Sequence, residues 1–271
     1  MTTQNIADGV RFCSVKTDKF KTCRVNISLA MPLDKSASAR AILPFMFSRR
    51  CAKYPDFTSL NRVLDGLYGA SVSAGTLKRG EAQILSFSMT AIDDRFALDG
   101  DKVAFECAQL LAEMIFDPLT EGKSFPEDII EQEKRLLVET IENEQNDKRR
   151  YAMLRCEQLM FADEAYGINR LGSVDDVKAL TPADGYSAWR DVLEKATVQI
   201  TMVSSMDPQP VAELIKDKFF EIERNPVEIK TQFVSGLPKP EYVCETMPLK
   251  QGKFVMELPR IVSVRLLIEE E

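Results

Sequence analysis

Six cysteines (Cys13, Cys23, Cys51, Cys107, Cys156 and Cys244) and the acidic pair Asp93-Asp94 are the side chains best suited to reactivity, and no histidine accompanies them. Histidine titrates near neutral pH unaided and is the commonest ligand of catalytic zinc. Its absence removes serine and cysteine nucleophiles activated by imidazole, His-ligated zinc and haem, and the two-His-one-carboxylate iron centre. Cys51 follows Arg49 and Arg50, whose charges favour a thiolate, yet without an imidazole a buried structural thiol is the better reading. No C-x-x-C pair occurs, so the cysteines read as reduced, buried small hydrophobes rather than disulfides or a metal cluster. Asp93 and Asp94, beside Arg95 at a strand end, have turn-building character. Trp189 and Tyr186 share a helix and suit packing. Gly-rich phosphate signatures are absent, and no cofactor or metal is expected.

The bulk composition fits a chain able to bury a substantial core: 271 residues, 45% hydrophobic, with a net charge of −7. That balance disfavours a nucleic-acid binder, which grips phosphates with clustered Lys and Arg. The opening MTTQNIADGVRF has neither the basic nor the apolar region of a signal peptide, and no apolar run is long enough to span a bilayer. A cytoplasmic protein without membrane contact is expected.

Strands and helices alternate. Val10 to Thr17 and Cys23 to Leu33 have β-branched alternation around a polar turn and predict an opening hairpin. Ser36 to Cys51 is helical in composition but carries Pro44 inside, predicting a kink or early break. A helix capped by Thr58 or Ser59 runs to Gly69. Strands Ala70 to Thr76 and Gln83 to Ile92 follow, joined through Lys78-Arg79-Gly80-Glu81. Lys102 to Phe116 forms a helix with one apolar face. From Pro126 a charged helix reaches about Arg150 and bends into another through Leu159. A helix near Pro182 to Leu193, a strand from Ala196 to Ser204 and a helix from Pro210 to Phe220 complete the series. Glu223 to Met247, rich in Pro and charge, reads as a linker.

The order of these pieces carries a resemblance. Residues 166 to 219 contain a Tyr-Gly, a later glycine, a Leu-Thr-Pro helix start, a buried strand and an Asp-Pro helix cap. Upstream stands LDGLYGASVSAGTLKRGEAQILSFSM. This series, across roughly residues 10 to 221, resembles the insulinase/pitrilysin family of zinc peptidases. LPFMFSRRCAKYPDFTSLNRVLDGLYGA narrows the likeness to a degenerate bacterial branch associated with 5-aminopentanol modification of elongation factor P.

Active members present two zinc-binding histidines and a general-base glutamate in an H-x-x-E-H helix, and a later glutamate completes the site. Laid on that motif, this chain has Ala41, Pro44 and Phe45 where the first histidine, the base and the second histidine belong. Glu139 falls where the distal glutamate belongs, with Gln132 in place of a further one. A lone carboxylate cannot hold catalytic zinc, and Glu139 also reads as a solvated helix residue. No catalytic residue and no zinc are therefore expected.

The resemblance implies an α+β fold of the insulinase-like, LuxS/mitochondrial processing peptidase type: a mixed or antiparallel sheet with helices on one face. Residues 1–222 correspond to the first half-domain of active members, and 223–271 to a linker and the start of a second, with LKQGKFVM at 249–256 as its opening strand. The implied function is that of an inactive homologue partnering an active H-x-x-E-H-bearing paralogue in peptide processing, or self-associating. The alternative is a peptide- or protein-binding scaffold outside any proteolytic complex, with a link to elongation factor P modification.

Overall fold

Alternation of apolar and polar residues in most of six strands gives the sheet they form one apolar face. In the computed structural model, which describes residues 1–230, 242–245 and 255–256, these are β1 (Thr2–Ala7), β2 (Val10–Lys16), β3 (Thr22–Pro32), β4 (Ser71–Arg79), β5 (Ala82–Ile92) and β6 (Thr197–Ser204). Their order is β1-β2-β6-β3-β5-β4, antiparallel except for the parallel β2–β6 pair. Register aligns Phe12 with Ile200, Ile200 with Ile27, Ile27 with Phe87 and Phe87 with Ala74, a row crossing five strands on the helix-covered face. The opposite face carries Arg24, Asn26, Ser28, Ser86 and Ser88. There Asn26 Nδ2 donates to Ser86 Oγ at 2.9 Å and Arg24 Nε to Ser88 Oγ at 2.8 Å. The fold is thus α+β with a mixed sheet.

The expected opening hairpin is not formed. Both segments are strands, but β6 lies between them, so Val198 and Ile200 are flanked by apolar neighbours on either side, while Met202 lies between Ser14 and Val25. A parallel pair such as β2–β6 requires a long crossover, which local turn signals cannot reveal. The turn after β2 is fastened elsewhere: Arg95 donates to the carbonyls of Asp18 and Phe20. The actual first hairpin joins β1 to β2 through Asp8 and Gly9, whose φ is +65°. β1 carries little apolar alternation and is largely exposed, which leaves it without a strand signal in the sequence.

On the apolar face lie α1 (Ala37–Ala41), α2 (Leu43–Phe47), α3 (Phe57–Gly66), α4 (Val103–Phe116), α5 (Glu127–Asn146), α6 (Lys148–Met160), α7 (Val174–Ala179), α8 (Pro182–Lys195) and α9 (Gln209–Phe220), packed on the sheet or on one another. The break expected from Pro44 falls at Ile42, which leaves the proline in the first turn of α2, where its missing donor is harmless. The cap of α3 is Asp56, not Thr58 or Ser59. Its carboxylate accepts the Ser59 amide at 2.8 Å while Ser59 Oγ accepts the Asp56 amide, a reciprocal capping box. Lys78 and Arg79 belong to β4, and the turn shortens to Gly80-Glu81. Pro126 precedes α5 as its cap residue. Asp147 separates α5 from α6 and caps the latter, accepting the amides of Arg149 and Arg150 at 3.1 Å each. Trp189 is buried on α8 and donates to the Ile115 carbonyl at 2.8 Å, with Phe125 and Tyr186 rings beside it.

The stretch expected as a linker begins as packed chain. Asn225 and Val227 amides donate to the carbonyls of Glu194 and Lys195, and Arg224 reaches those of Asp8, Leu193 and Ala196. Most of the remainder, including nearly all of the strand expected at 249–256, lies outside the described residues.

Two glycines separate backbone strain from steric exclusion. Gly69 has φ +71° and no atom within 4 Å of the place a β-carbon would take, whereas at Gly172, φ +76°, that carbon would stand 1.7 Å from Ser38 Oγ. Gly69→Ala should cost about 1 kcal/mol for the left-handed conformation alone. Gly172→Ala should cost about 2–4 kcal/mol because the segment would also have to leave α1. Urea unfolding of the two variants checks the difference; equal losses would contradict the close approach.

Candidate functional site

The positions matching the family's zinc helix straddle the α1–α2 break. Ala41 is fully buried at the end of α1, Pro44 is buried in α2, and the half-buried Phe45 packs against the hydrophobic core. None offers a lone pair suited to a metal or a group able to take a proton, and the interrupted helix does not present positions 41 and 45 as successive turns of one continuous face. On α5, Ile130, Glu133, Leu137 and Ile141 form the buried stripe, so Glu139 and Gln132 fall on exposed positions. Among the described residues no group of three or more His, Cys, Asp or Glu side chains is placed to hold a metal ion. The residues present therefore do not fit the zinc that the resemblance would bring.

The charge that sequence reasoning missed is Glu133. Its side chain is fully buried where α5 meets α2; Arg50 Nη2 donates to Oε1 at 3.0 Å, and Arg49 Nε stands 3.9 Å from Oε2. Burial pushes its carboxyl above the usual glutamate range, and the two guanidinium groups oppose that rise only in part. Glu133 Oε2 and Arg50 Nε are buried without a hydrogen-bond partner among the described residues. A glutamate interrupting an apolar helical stripe was the available signal, together with the Arg49-Arg50 pair.

Arg40, immediately before Ala41, is a second buried charge. Its Nε donates to Gln83 Oε1 at 2.7 Å, and Nη2 to the Pro32 carbonyl and Asp34 Oδ1 at 2.9 Å each. Gln83 in turn donates to the carbonyls of Ala37, at 2.9 Å, and Arg170, at 2.6 Å. This network ties α1 to β5 and to the segment before α7, and burial lowers the guanidinium pKa against the opposing pull of Asp34.

Four of the six cysteines are buried as expected, but Cys156 is half-buried and Cys244 exposed, because neither lies on a strand or helix face that packs into the core. Cys51 is fully buried, and burial raises its thiol more than the backbone hydrogen bonds of Tyr54 and Lys53 lower it. Burial also pushes Cys23 up to about 11 and Cys107 up to about 12, far from a thiolate at neutral pH. Asp93 builds its turn as expected: it is buried and accepts from Ser205 Oγ at 2.6 Å, the Ser205 amide at 3.0 Å and Arg95 Nε at 2.8 Å. Burial opposes its ionisation, but these donors together hold the carboxyl below its ordinary value.

A peptidase fold without metal ligands at the motif positions defines the class: the chain has the fold of the insulinase-like peptidases and is similar to inactive homologues of them. It is 32% identical over 241 residues to a Bacillus subtilis (strain 168) protein described as "Probable inactive metalloprotease YmfF", covering 88% of this chain and 56% of that protein. It thus spans about half the length of that curated relative. The crystal structure of a conserved protein from Enterococcus faecalis V583 matches with TM-score 0.78 and 25% identity, covering 84% of this chain and 54% of that one. That of a peptidase M16 inactive domain from Pseudomonas fluorescens matches at TM-score 0.62 and 16% identity, over 85% and 53% of the two chains, a likeness of fold. No protein-family profile matches.

The buried charges and the altered motif each generate a prediction. Because the folded pKa of Glu133 is raised, its ionised form is disfavoured in the fold. Glu133→Gln should therefore change stability at pH 7 by no more than about 1 kcal/mol, whereas Glu133→Ala, which strands Arg50 beside a cavity, should cost about 3 kcal/mol. The wild type should gain on the Gln variant as pH falls through the raised value toward the ordinary 4.5, since the folded chain binds that proton more tightly than the unfolded chain. Urea titrations across pH 4 to 8 would refute this if the gain ran the other way. Separately, the combined Ala41→His, Pro44→Glu and Phe45→His variant should show no chelator-sensitive peptidase activity. The fully buried Ala41 site has no room for an imidazole without overpacking, and no distal ligand stands ready. Metal analysis and a fluorogenic peptide assay check this; sustained turnover would show a preorganised site.

Proposed function

We propose that this chain is a non-catalytic partner of an active, H-x-x-E-H-bearing paralogue in peptide processing. The observation that carries the reading is the contrast at the motif: the surrounding scaffold is fully packed, while its chemical positions hold alanine, proline and phenylalanine. A fold kept intact around such a site suits shaping a substrate chamber rather than cleaving within it. The likeness to an inactive metalloprotease supports the same reading.

The open side of the sheet offers a means of contact. Its polar face, with the half-buried Asn26, Ser28 and Ser86, is not covered by a described helix, and β4 forms one outer edge. An edge strand presents backbone groups to which an extended peptide can add. Arg170 already takes the Thr76 carbonyl at 3.0 Å, so the segment preceding α7 limits how far along β4 a peptide can pair. This edge also favours a second reading, a peptide-binding scaffold outside any proteolytic complex, with elongation factor P or its modifying proteins among the ligands to try.

Light scattering of the purified chain, alone and mixed with the paralogue, separates the two. The partner reading expects a defined complex on the order of 10 μM, no stoichiometric zinc in this chain, and faster peptide turnover by the paralogue when the complex forms. A monomer that ignores the paralogue at that concentration, with unchanged turnover, would overturn it in favour of the independent scaffold.

A further inference from the structure

Away from the degenerate motif, α6 packs against α5 and the turn at 165–167 without fully burying any side chain, and Met153 and Leu159 stand in solvent. A cavity of about 380 Å³ opens between α6 and residues 169–174, with Ile141, Leu154 and Val174 among its apolar lining. Two donors meet at this cavity. Tyr151 Oη donates to Glu245 Oε2 at 2.9 Å, and Arg155 Nε donates to Glu245 Oε1 at 2.6 Å. Each carboxylate oxygen thus has its own donor, one of them charged, the arrangement by which proteins read a carboxylate.

The contact is selective along the segment. Tyr242, Val243 and Cys244, which precede Glu245, are all exposed, so the carboxylate is what fastens this stretch to α6. Glu144, at the same cavity, is engaged by Arg150 and Arg170. The Arg155 charge is answered from 90 residues along the chain rather than from its own helix. A partly exposed ion pair holds a segment weakly, which suits an occupant that can be displaced.

We propose that Tyr151 and Arg155 form a receptor for a peptide carboxylate, that the apolar cavity beside them takes a neighbouring side chain of the ligand, and that Glu245 fills the receptor in cis. The ligand is an extended peptide presenting either an acidic side chain or a free chain end. Binding of such a peptide displaces residues 242–245 from α6. The inference does not depend on the partnership proposed above, because the receptor lies outside the motif and needs no paralogue.

Fluorescence anisotropy with the full chain carrying Glu245→Gln tests it. The probe is a labelled, end-blocked peptide reproducing residues 242–247 with serine for the cysteine, compared with its glutamine counterpart and with a peptide whose only carboxylate is its C-terminus. The glutamate peptide should bind about tenfold more tightly than the glutamine peptide, and the wild-type chain, with its own carboxylate in place, should bind it several-fold more weakly. Adding Arg155→Gln to the Glu245→Gln chain should abolish the discrimination, and Tyr151→Phe should reduce it, with circular dichroism confirming that each variant is folded. Binding of the third peptide as strongly as the first would support recognition of chain ends, and its failure would support recognition of acidic side chains. Equal binding of the glutamate and glutamine peptides, or saturation by neither up to millimolar concentration, would overturn the proposal.

Discussion

The placement of β6 between β2 and β3 is the constraint on which the rest of the structure depends. Ile200 sits in a row between Phe12 and Ile27, with Val198 and Met202 in the rows on either side, and this central strand carries the apolar face across the sheet. Without it β2 and β1 would have no partner linking them to β3, and α9, which meets both α4 and β1, would lose one of its supports. Contacts between chain segments nearly two hundred residues apart are therefore a condition of the core, not an addition to it. Such long-range pairing carries a loop-closure cost that the buried rows must outweigh.

Buried charge marks the seams where helices meet this sheet and each other. Arg40 with Gln83 joins α1 to β5, Glu133 with Arg50 joins α5 to the end of α2, and Asp93 joins the end of β5 to the residues after β6. The three differ in how well they are satisfied. Asp93 has donors on both oxygens and stays readily ionised, whereas Glu133 keeps one oxygen without a hydrogen-bond donor among the described residues and its carboxyl is pushed toward the neutral form. A degenerate metal helix thus remains fastened to its neighbours by ionic and hydrogen-bonded contacts that do not require a metal.

Much of the architecture is legible from local pattern. Period-two alternation locates β2, β3, β5 and β6, and the apolar face of α4 is visible in Val103, Leu110, Leu111 and Met114. Pro44 announces the α1–α2 break. The hairpin reading fails because adjacency in sequence stands in for adjacency in space, and β1 escapes notice because an edge strand needs little apolar character. At α3, Thr58 and Ser59 are the nearer cap candidates, yet Asp56, three residues before Ser59, completes the reciprocal box.

The sequence by itself determined which chemistry is absent: with no histidine, and with alanine, proline and phenylalanine at the motif, side-chain identity alone excludes the family's zinc site. It also determined most elements, because helix and strand periodicity are properties of neighbouring residues. Only the tertiary structure decided that β6 enters the sheet between β2 and β3, that Glu133 rather than Glu139 faces the neighbouring helix, and that Glu245 meets Tyr151 and Arg155. The reason is physical. Burial, pairing and the resulting pKa of a charged side chain depend on which distant segments exclude water around it, and no local pattern specifies those segments.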